Sequence, residues 1–309
     1  MSFIDDHRGR FGVEPICRVL SEHGCKIAPN TYWTARHRPP CARARRDEWL
    51  KDEIRRVHAQ NLSVYGADKV WTQLNREGIR VARCTVERLM RETGLSGARR
   101  GRAFKVTTRH DDRQHRPSDL VDRHFTAPCP NRLWVADLTY VKTHAGWVYA
   151  AFIVDVFSRM IVGWQLSDSL RSSLAVDALE MAVWNRTREG QVLDGLVHHS
   201  DRGVQYLSIR YSERLDENDI VASVGSRGDS YDNAMAESFN SLYKWELIYP
   251  QGPWKGLDDV EFATLGYVDW FNHRRLHGEI TDDNTYVTPA EFEATYYRHT
   301  EAVAEAVTQ

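Results

Sequence analysis

Two hydrophobic periodicities run along the chain, and the change from one to the other divides it. Between Asp47 and Leu95 apolar residues recur at three- and four-residue spacing. Trp49, Leu50, Ile54 and Val57 share one face of a helix that Asp47 can N-cap and that runs to about Ala59. Val70, Trp71 and Leu74 mark a second helix stopped by Gly78; Val86, Leu89 and Met90 mark a third stopped by Gly94. The second and third, joined by a short turn, fit a helix-turn-helix with Arg83, Arg88 and Arg91 facing outward. A plain three-helix bundle with a charged surface is the competing reading. Upstream, residues 1–31 predict one short helix, about Val13 to His23, ended by Gly24 and too short to fold alone. Residues 34–46, T-A-R-H-R-P-P-C-A-R-A-R-R, read as a basic linker broken by proline.

From Asn131 the pattern switches to strands. L-W-V-A-D-L-T-Y-V, W-V-Y-A-A-F-I-V-D-V-F-S and R-M-I-V-G-W-Q-L-S are separated by short turns and predict an antiparallel meander. A helix follows, with Leu174, Ala178, Met181, Val183 and Trp184 mostly on one face. Next come a strand ending at Asp201, a helix, the strand I-V-A-S-V, and a helix that Asp232 can cap and that carries Glu237. The order βββαβαβα predicts an α/β layer with antiparallel and parallel parts. Residues 257–276 form another amphipathic helix, and a last short one starts at Thr288-Pro289, with a frayed tail after Arg298. The expected organisation is a short N-terminal helix and basic linker over 1–46 and a helix-turn-helix domain over 47–95. A basic linker over 96–130, an α/β core over 131–250 and a helical extension over 251–309 follow.

Charge sharpens this division. The net charge of −2 argues by itself against a nucleic-acid protein. Its distribution reverses that: residues 32–116 carry 21 Lys and Arg against 10 Asp and Glu, whereas residues 117–309 carry 16 against 29. A basic first third and an acidic remainder suggest a DNA-holding region joined to a cation-binding one. The non-periodic stretch 96–116, which includes Arg99 and Arg100, is expected to touch phosphate backbone. Apolar runs are too short to span a bilayer, and the N-terminus lacks a signal-peptide pattern. Five cysteines without zinc-ligand spacing predict reduced thiols in a cytoplasmic protein.

Within the acidic part three carboxylates invite chemistry. Asp137 lies centrally in the first strand, Asp201 ends the fourth, and Glu237 sits near the start of a helix. Phosphodiester cleavage needs an activated water and a stabilised leaving oxyanion, and two divalent ions held by carboxylates supply both. Each acid has a bland alternative. Asp137 could be buried with a partner, Asp201 could begin the turn in S-D-R-G, and Glu237 could be a solvated helix acid. Asp155 competes as a ligand, but no turn signature follows it, so it reads as structural or as a support for the ligands. His198 and His199 alternate across a strand, so at most one faces the site. Lys244 lies two helical turns beyond Glu237 and could contact the phosphate beside the scissile bond.

The segments W-V-A-D-L-T-Y, H-S-D-R-G-V-Q-Y, S-Y-D-N-A-M-A-E-S-F-N-S-L-Y-K-W-E and W-F-N-H-R-R-L-H resemble the catalytic subunit of bacterial insertion-sequence transposases of the IS3 family. So does the block V-Y-G-A-D-K-V-W, and the likeness covers about residues 47–296. It implies a ribonuclease-H-like, retroviral-integrase-type core behind an all-helical helix-turn-helix domain. Asp137, Asp201 and Glu237 would be its catalytic, metal-binding triad, using Mg²⁺ with Mn²⁺ as a substitute. The implied reaction is cleavage at the element's terminal inverted repeats and strand transfer into target DNA. Expected DNA contacts are Lys244, Lys69, Arg80, Arg83, Arg88, Arg91, Arg99, Arg100, Arg274 and Arg275. Implied partners are DNA, further copies of the chain on that DNA, and an upstream-frame protein fused by ribosomal frameshifting. That partner would carry the main terminal-repeat-binding helix-turn-helix and a leucine zipper; this chain lacks a heptad zipper. A second reading makes the chain a DNA-binding regulator of the fused transposase.

Overall fold

The computed structural model describes residues 1–98, 121, 125–201, 205–206, 208–224, 234–281, 283 and 285–308. By its internal contacts the chain forms two compact units, Met1–Glu53 and Ile54–Gln309.

In the first unit three helices stand where the sequence predicted one: α1 (Ser2–Phe11), α2 (Val13–Glu22) and α3 (Pro29–His37). Gly12, at φ 74°, separates α1 from α2, and Pro29 opens α3 at its first turn, where its missing N–H costs nothing. Ile4, Val13, Ile16, Cys17 and Tyr32 bury one another. α2 stands where the one helix was expected; α1 and α3 each bury a single apolar residue and show no period alone. Asp5 on α1 accepts a 2.7 Å hydrogen bond from the Tyr32 hydroxyl and pairs with Arg36, tying α1 to α3. The next helix, α4 (Ala42–Gln60), begins inside the expected linker rather than at Asp47. The alanine and arginine run there has high helix propensity.

The second unit starts with the rest of α4, α5 (Ala67–Arg76) and α6 (Arg83–Glu92). Ile54, Val57, Val70, Leu74, Val86 and Leu89 are fully buried, as their spacing predicted. Trp71 Nε1 donates to the Val81 carbonyl at 2.9 Å and closes the turn between α5 and α6.

A five-stranded sheet follows: β1 (Leu133–Thr143), β2 (Gly146–Asp155), β3 (Ile161–Ser167), β4 (Val197–Ser200) and β5 (Val221–Val224). Its order is β3-β2-β1-β4-β5. The first three strands are antiparallel, whereas β4 runs parallel to β1 and β5 parallel to β4. With α7 (Ser172–Arg188), α8 (Ile209–Asp216) and α9 (Ala234–Tyr243), this is the expected βββαβαβα order in a ribonuclease-H-like arrangement. Trp134, Ala136 and Ile153 face α7 and α8 in the main core. Gly163 lets α7 lie close on β3: a Cβ there would meet the Ala178 carbonyl oxygen at 2.2 Å.

The opposite sheet face takes α9, which runs on through one π-helical turn (Lys244–Ile248) into α10 (Tyr249–Gln251). Next comes α11 (Leu257–His273). The last helix, α12 (Pro289–Thr308), continues well beyond the point where fraying was expected. Thr288 and Glu291 start it with reciprocal bonds: Thr288 Oγ1 accepts from Glu291 N at 3.2 Å, and Glu291 accepts from Thr288 N at 3.0 Å. The N-terminal helices of this unit dock on its C-terminal segments. The Tyr65 hydroxyl donates to the Arg274 carbonyl and accepts from Leu276 N, and Trp270 Nε1 donates to Asn61 Oδ1. No described helix is long and apolar enough to cross a membrane.

Candidate active site

Asp137 sits at the centre of β1, where that strand loses its parallel neighbour. Ser200, the last residue of β4, lies opposite Ala136, so the next residue of each strand, Asp201 and Asp137, are brought side by side. Across the antiparallel pair Asp137 faces Phe152. The Phe152 ring makes edge contacts with Phe239 and Tyr243 of α9, each with centroids 4.9 Å apart. This aromatic seat presses α9 onto the strand that carries Asp137. One helical turn beyond Glu237, Asn240 Nδ2 donates to Asp137 Oδ2 at 2.9 Å. Glu237, Asn240 and Lys244 therefore share the helix face that looks onto Asp137. The other Asp137 oxygen accepts from Leu138 N at 2.8 Å.

Electrostatics shows that the three acids feel one another. Burial pushes Asp137 up to about 8, the charges of Asp201 and Glu237 push the same way, and the bonds from Leu138 and Asn240 oppose them. Glu237 is raised by burial and then by Asp201. Burial lowers Lys244, whereas the charge of Asp137 raises it. Its ammonium lies 4.6 Å above the Tyr140 ring. Gathering carboxylates against their own repulsion is what a cation site requires, and hard oxygen donors suit Mg²⁺. Two buried oxygens, Asn240 Oδ1 and Tyr206 Oη, have no hydrogen-bond partner among the described residues. Tyr206 also feels the charges of Asp137 and Asp201. These residues fit a divalent metal, although no three described Asp, Glu, His or Cys side chains form a finished cage.

The competing candidates have structural duties. Asp155 is fully buried at the end of β2. It accepts from Asn131 N at 2.8 Å, Trp134 Nε1 at 3.2 Å, Phe157 N at 2.9 Å and Ser158 N at 3.1 Å. Arg186, 3.7 Å away, links it to Glu293 of α12. His198 points into the α8 side, 3.0 Å from the Tyr211 hydroxyl, and His199 points the other way, 2.9 Å from Ser223 Oγ.

The basic residues proposed for DNA are scattered. Arg80, Arg83, Arg91 and Arg274 are exposed, and Arg88 is half-buried. Arg83 pairs with Asp68, Arg88 with Glu92, Arg91 with Glu87 and Arg274 with Asp269. Lys69 is half-buried over the Tyr65 ring, and burial followed by the charge of Arg275 pushes it down to about 7. Arg275 is corrected: it is buried, with Nε and a terminal nitrogen on Glu246 at 2.9 and 2.6 Å, so its charge is spent inside the fold. Arg99, Arg100, the Asp232 cap and most of the basic linker lie outside the described residues. Asn240 and Tyr206 were missed. Asn240 had one usable signal, its place one turn after Glu237 on the same face.

A sheet in this order, with acids meeting where β1 and β4 diverge, defines a protein with an integrase-type core. The family described as "Integrase core domain" matches residues 127–230, and a second of the same description matches 218–282. An "HTH-like domain" family matches residues 44–103. The putative transposase for insertion sequence element IS986/IS6110 of Mycobacterium tuberculosis (strain H37Rv) is 56% identical over 272 residues, 88% of this chain and 96% of that protein. Transposase InsF for insertion sequence IS3A of Escherichia coli (strain K12) is 31% identical over 249 residues, 80% and 83% of the two chains. Among solved structures, the HTLV-2 integrase catalytic core domain in complex with magnesium resembles 48% of this chain and 92% of that chain, at 19% identity and a TM-score of 0.38. The chain belongs to the IS3 family of insertion-sequence transposases.

Proposed function

We propose that the chain cleaves DNA at the ends of its insertion element and joins them to target DNA, with Asp137, Asp201 and Glu237 as the metal-holding triad. The electrostatic perturbation among these three acids, on a strand, beyond the end of its parallel neighbour and on the helix that Phe152 packs against, carries this reading. A divalent metal bound by them would neutralise developing charge on the phosphate and lower the pKa of an attacking water or hydroxyl. The chain's own residues do the rest. Asn240 and Leu138 N, each bonded to one oxygen of Asp137, fix the rotation of its carboxylate. Lys244, held by Tyr140, offers a cation to a phosphate beside the acids. The exposed arginines Arg83 and Arg91 of α6 and Arg80 in the turn before it supply sequence-independent attraction to the duplex. The chain works in the bacterial cytoplasm at the nucleoid, as several copies on DNA, with an upstream-frame protein fused to it.

The test is a nicking and joining assay on labelled element ends with Mg²⁺, using the chain and its frameshift-fused form. Asp201→Asn is expected to keep DNA binding and lose nicking and joining. Nicking by Asp201→Asn at the parental rate sinks the assignment. If only the fused form acts, the upstream segment is required. If added free chain suppresses that form, the regulatory reading gains.

A further inference from the structure

The three family matches begin at residue 44, yet Met1–Glu53 is a compact unit of its own. Its architecture is two helices joined by a turn, braced by a third. α2 and α3 are linked through Gly24 at φ +85°, a conformation glycine adopts freely. α1 closes the back, with Ile4, Val13, Ile16, Cys17 and Tyr32 as core and Leu20 and Ile27 beside them. Tyr32, on the inner side of α3, is locked by its bond to Asp5, and so is Arg36 one turn on. Locking that side fixes what the other presents. Asn30, Trp33, Thr34 and His37 stand on the outer side, all exposed. Trp33 and His37 stack with centroids 5.9 Å apart.

Charge identifies what such a face meets. From residue 26 to residue 46 the chain carries Lys26, Arg36, Arg38, Arg43, Arg45 and Arg46 and not one acid. Arg38, Arg43 and Arg45 are exposed. A short helix offering Asn30 and Thr34 on its outer side, followed by the exposed Arg38, Arg43 and Arg45, suits the major groove of duplex DNA. Asn pairs bidentately with adenine, the Thr methyl packs on thymine, and the flanking arginines neutralise phosphates. We propose that Met1–Glu53 is a second helix-turn-helix that reads duplex DNA with the outer side of α3, while Arg38, Arg43 and Arg45 hold the backbone. This rests on the reading that the chain acts on DNA, but involves none of the acids.

Site-specific photo-crosslinking tests it in the full chain carrying Asp201→Asn, with p-benzoylphenylalanine in place of Trp33 and a labelled duplex bearing the element's end. The expected result is a protein–DNA adduct. An adduct with a second copy, or none from protein that holds the duplex through other residues, overturns the proposal. In parallel, Arg38→Ala, Arg43→Ala and Arg45→Ala are combined. Each lost phosphate contact should flatten the log–log dependence of binding on salt by about 0.9. Asn30→Ala with Thr34→Ala should instead erode preference for end DNA over a scrambled duplex by about tenfold or more, with the salt slope unchanged. None of these residues lies in the Ile4–Tyr32 core, so unfolding temperatures should match the parent. Parental salt slope and preference in both variants count against the proposal. Failure of the triad would appear separately, as nicking that survives Asp201→Asn.

Discussion

At the residue scale the site is held by groups that do no chemistry. Asn240 holds the Asp137 carboxylate through a 2.9 Å bond, and in the proposed site that bond would orient a metal ligand. Asn240→Ala is expected to lower the nicking rate about 10–100-fold with DNA affinity unchanged. An equal loss of DNA binding would show that Asn240 supports the fold rather than the acid. His198 gives a pH signature. Burial, and then His199, push it down to about 3. An unfolded imidazole takes its proton near pH 6.5, so below that pH the unfolded chain binds the extra proton. The stability His198 contributes is complete above about pH 6.5 and drains away as pH falls toward about 3, at up to about 1.4 kcal/mol per pH unit. Urea unfolding at about pH 7 and about pH 5 should show roughly 2 kcal/mol less pH dependence in His198→Gln than in the parent. The three acids were legible because their spacing belongs to long motifs. The Asp155–Arg186–Glu293 network was not, because nothing local to Arg186, in the last turn of α7, marks it for burial. Its main partner lies 107 residues away. Arg186→Met should cost about 3–5 kcal/mol in chemical denaturation, since it strands two buried carboxylates.

Among elements, the strands and most apolar helix positions emerged as their periods predicted, but Trp49 and Trp184, expected on apolar faces, are exposed. The N-terminal unit emerged as predicted only at α2. Its helices are short and share one small core, and α3 starts at a proline that reads as a break when taken alone. The alanine-arginine start of α4 was misread as linker because two prolines precede it. Local chemistry did mark the start of α12, where Thr288 and Glu291 cap reciprocally. Thr288→Ala should lower stability by about 1 kcal/mol, measured by thermal unfolding, with the site's activity unchanged. A larger role belongs to the Tyr65 hydroxyl, which bridges the Arg274 carbonyl and Leu276 N. Tyr65→Phe leaves that buried N–H without a partner at a cost of about 1–3 kcal/mol. Hydrogen exchange should quicken first around residues 274–276; uniform exchange with the parent would deny Tyr65 this bridging role.

Across the whole molecule the charge asymmetry is what composition revealed and average charge concealed. A net −2 hides a basic third and an acidic remainder. Net charge could not show which cations stay outside. Arg275 is neutralised by Glu246, and neither position nor charge run distinguished it from its exposed neighbour Arg274. DNA affinity should therefore fall steeply with salt, and Arg275→Gln should act on thermal stability rather than on the salt slope. A salt slope flattened by about 0.9 in that variant would reinstate Arg275 as a phosphate contact.

The single π-helical turn at Lys244–Ile248 has a geometric consequence. Adding one residue to an α-helix rotates everything after it by roughly a quarter of a revolution. Upstream, the rod aims Glu237 and Asn240 at Asp137; inside the wide turn, Glu246 is aimed at Arg275. The wide turn acts as a phase shifter, letting Glu246 take an aim of its own on the rod that carries Glu237. Removing Trp245 would swing Glu246 out of line with Arg275 while leaving the sequence from Glu237 to Lys244 untouched.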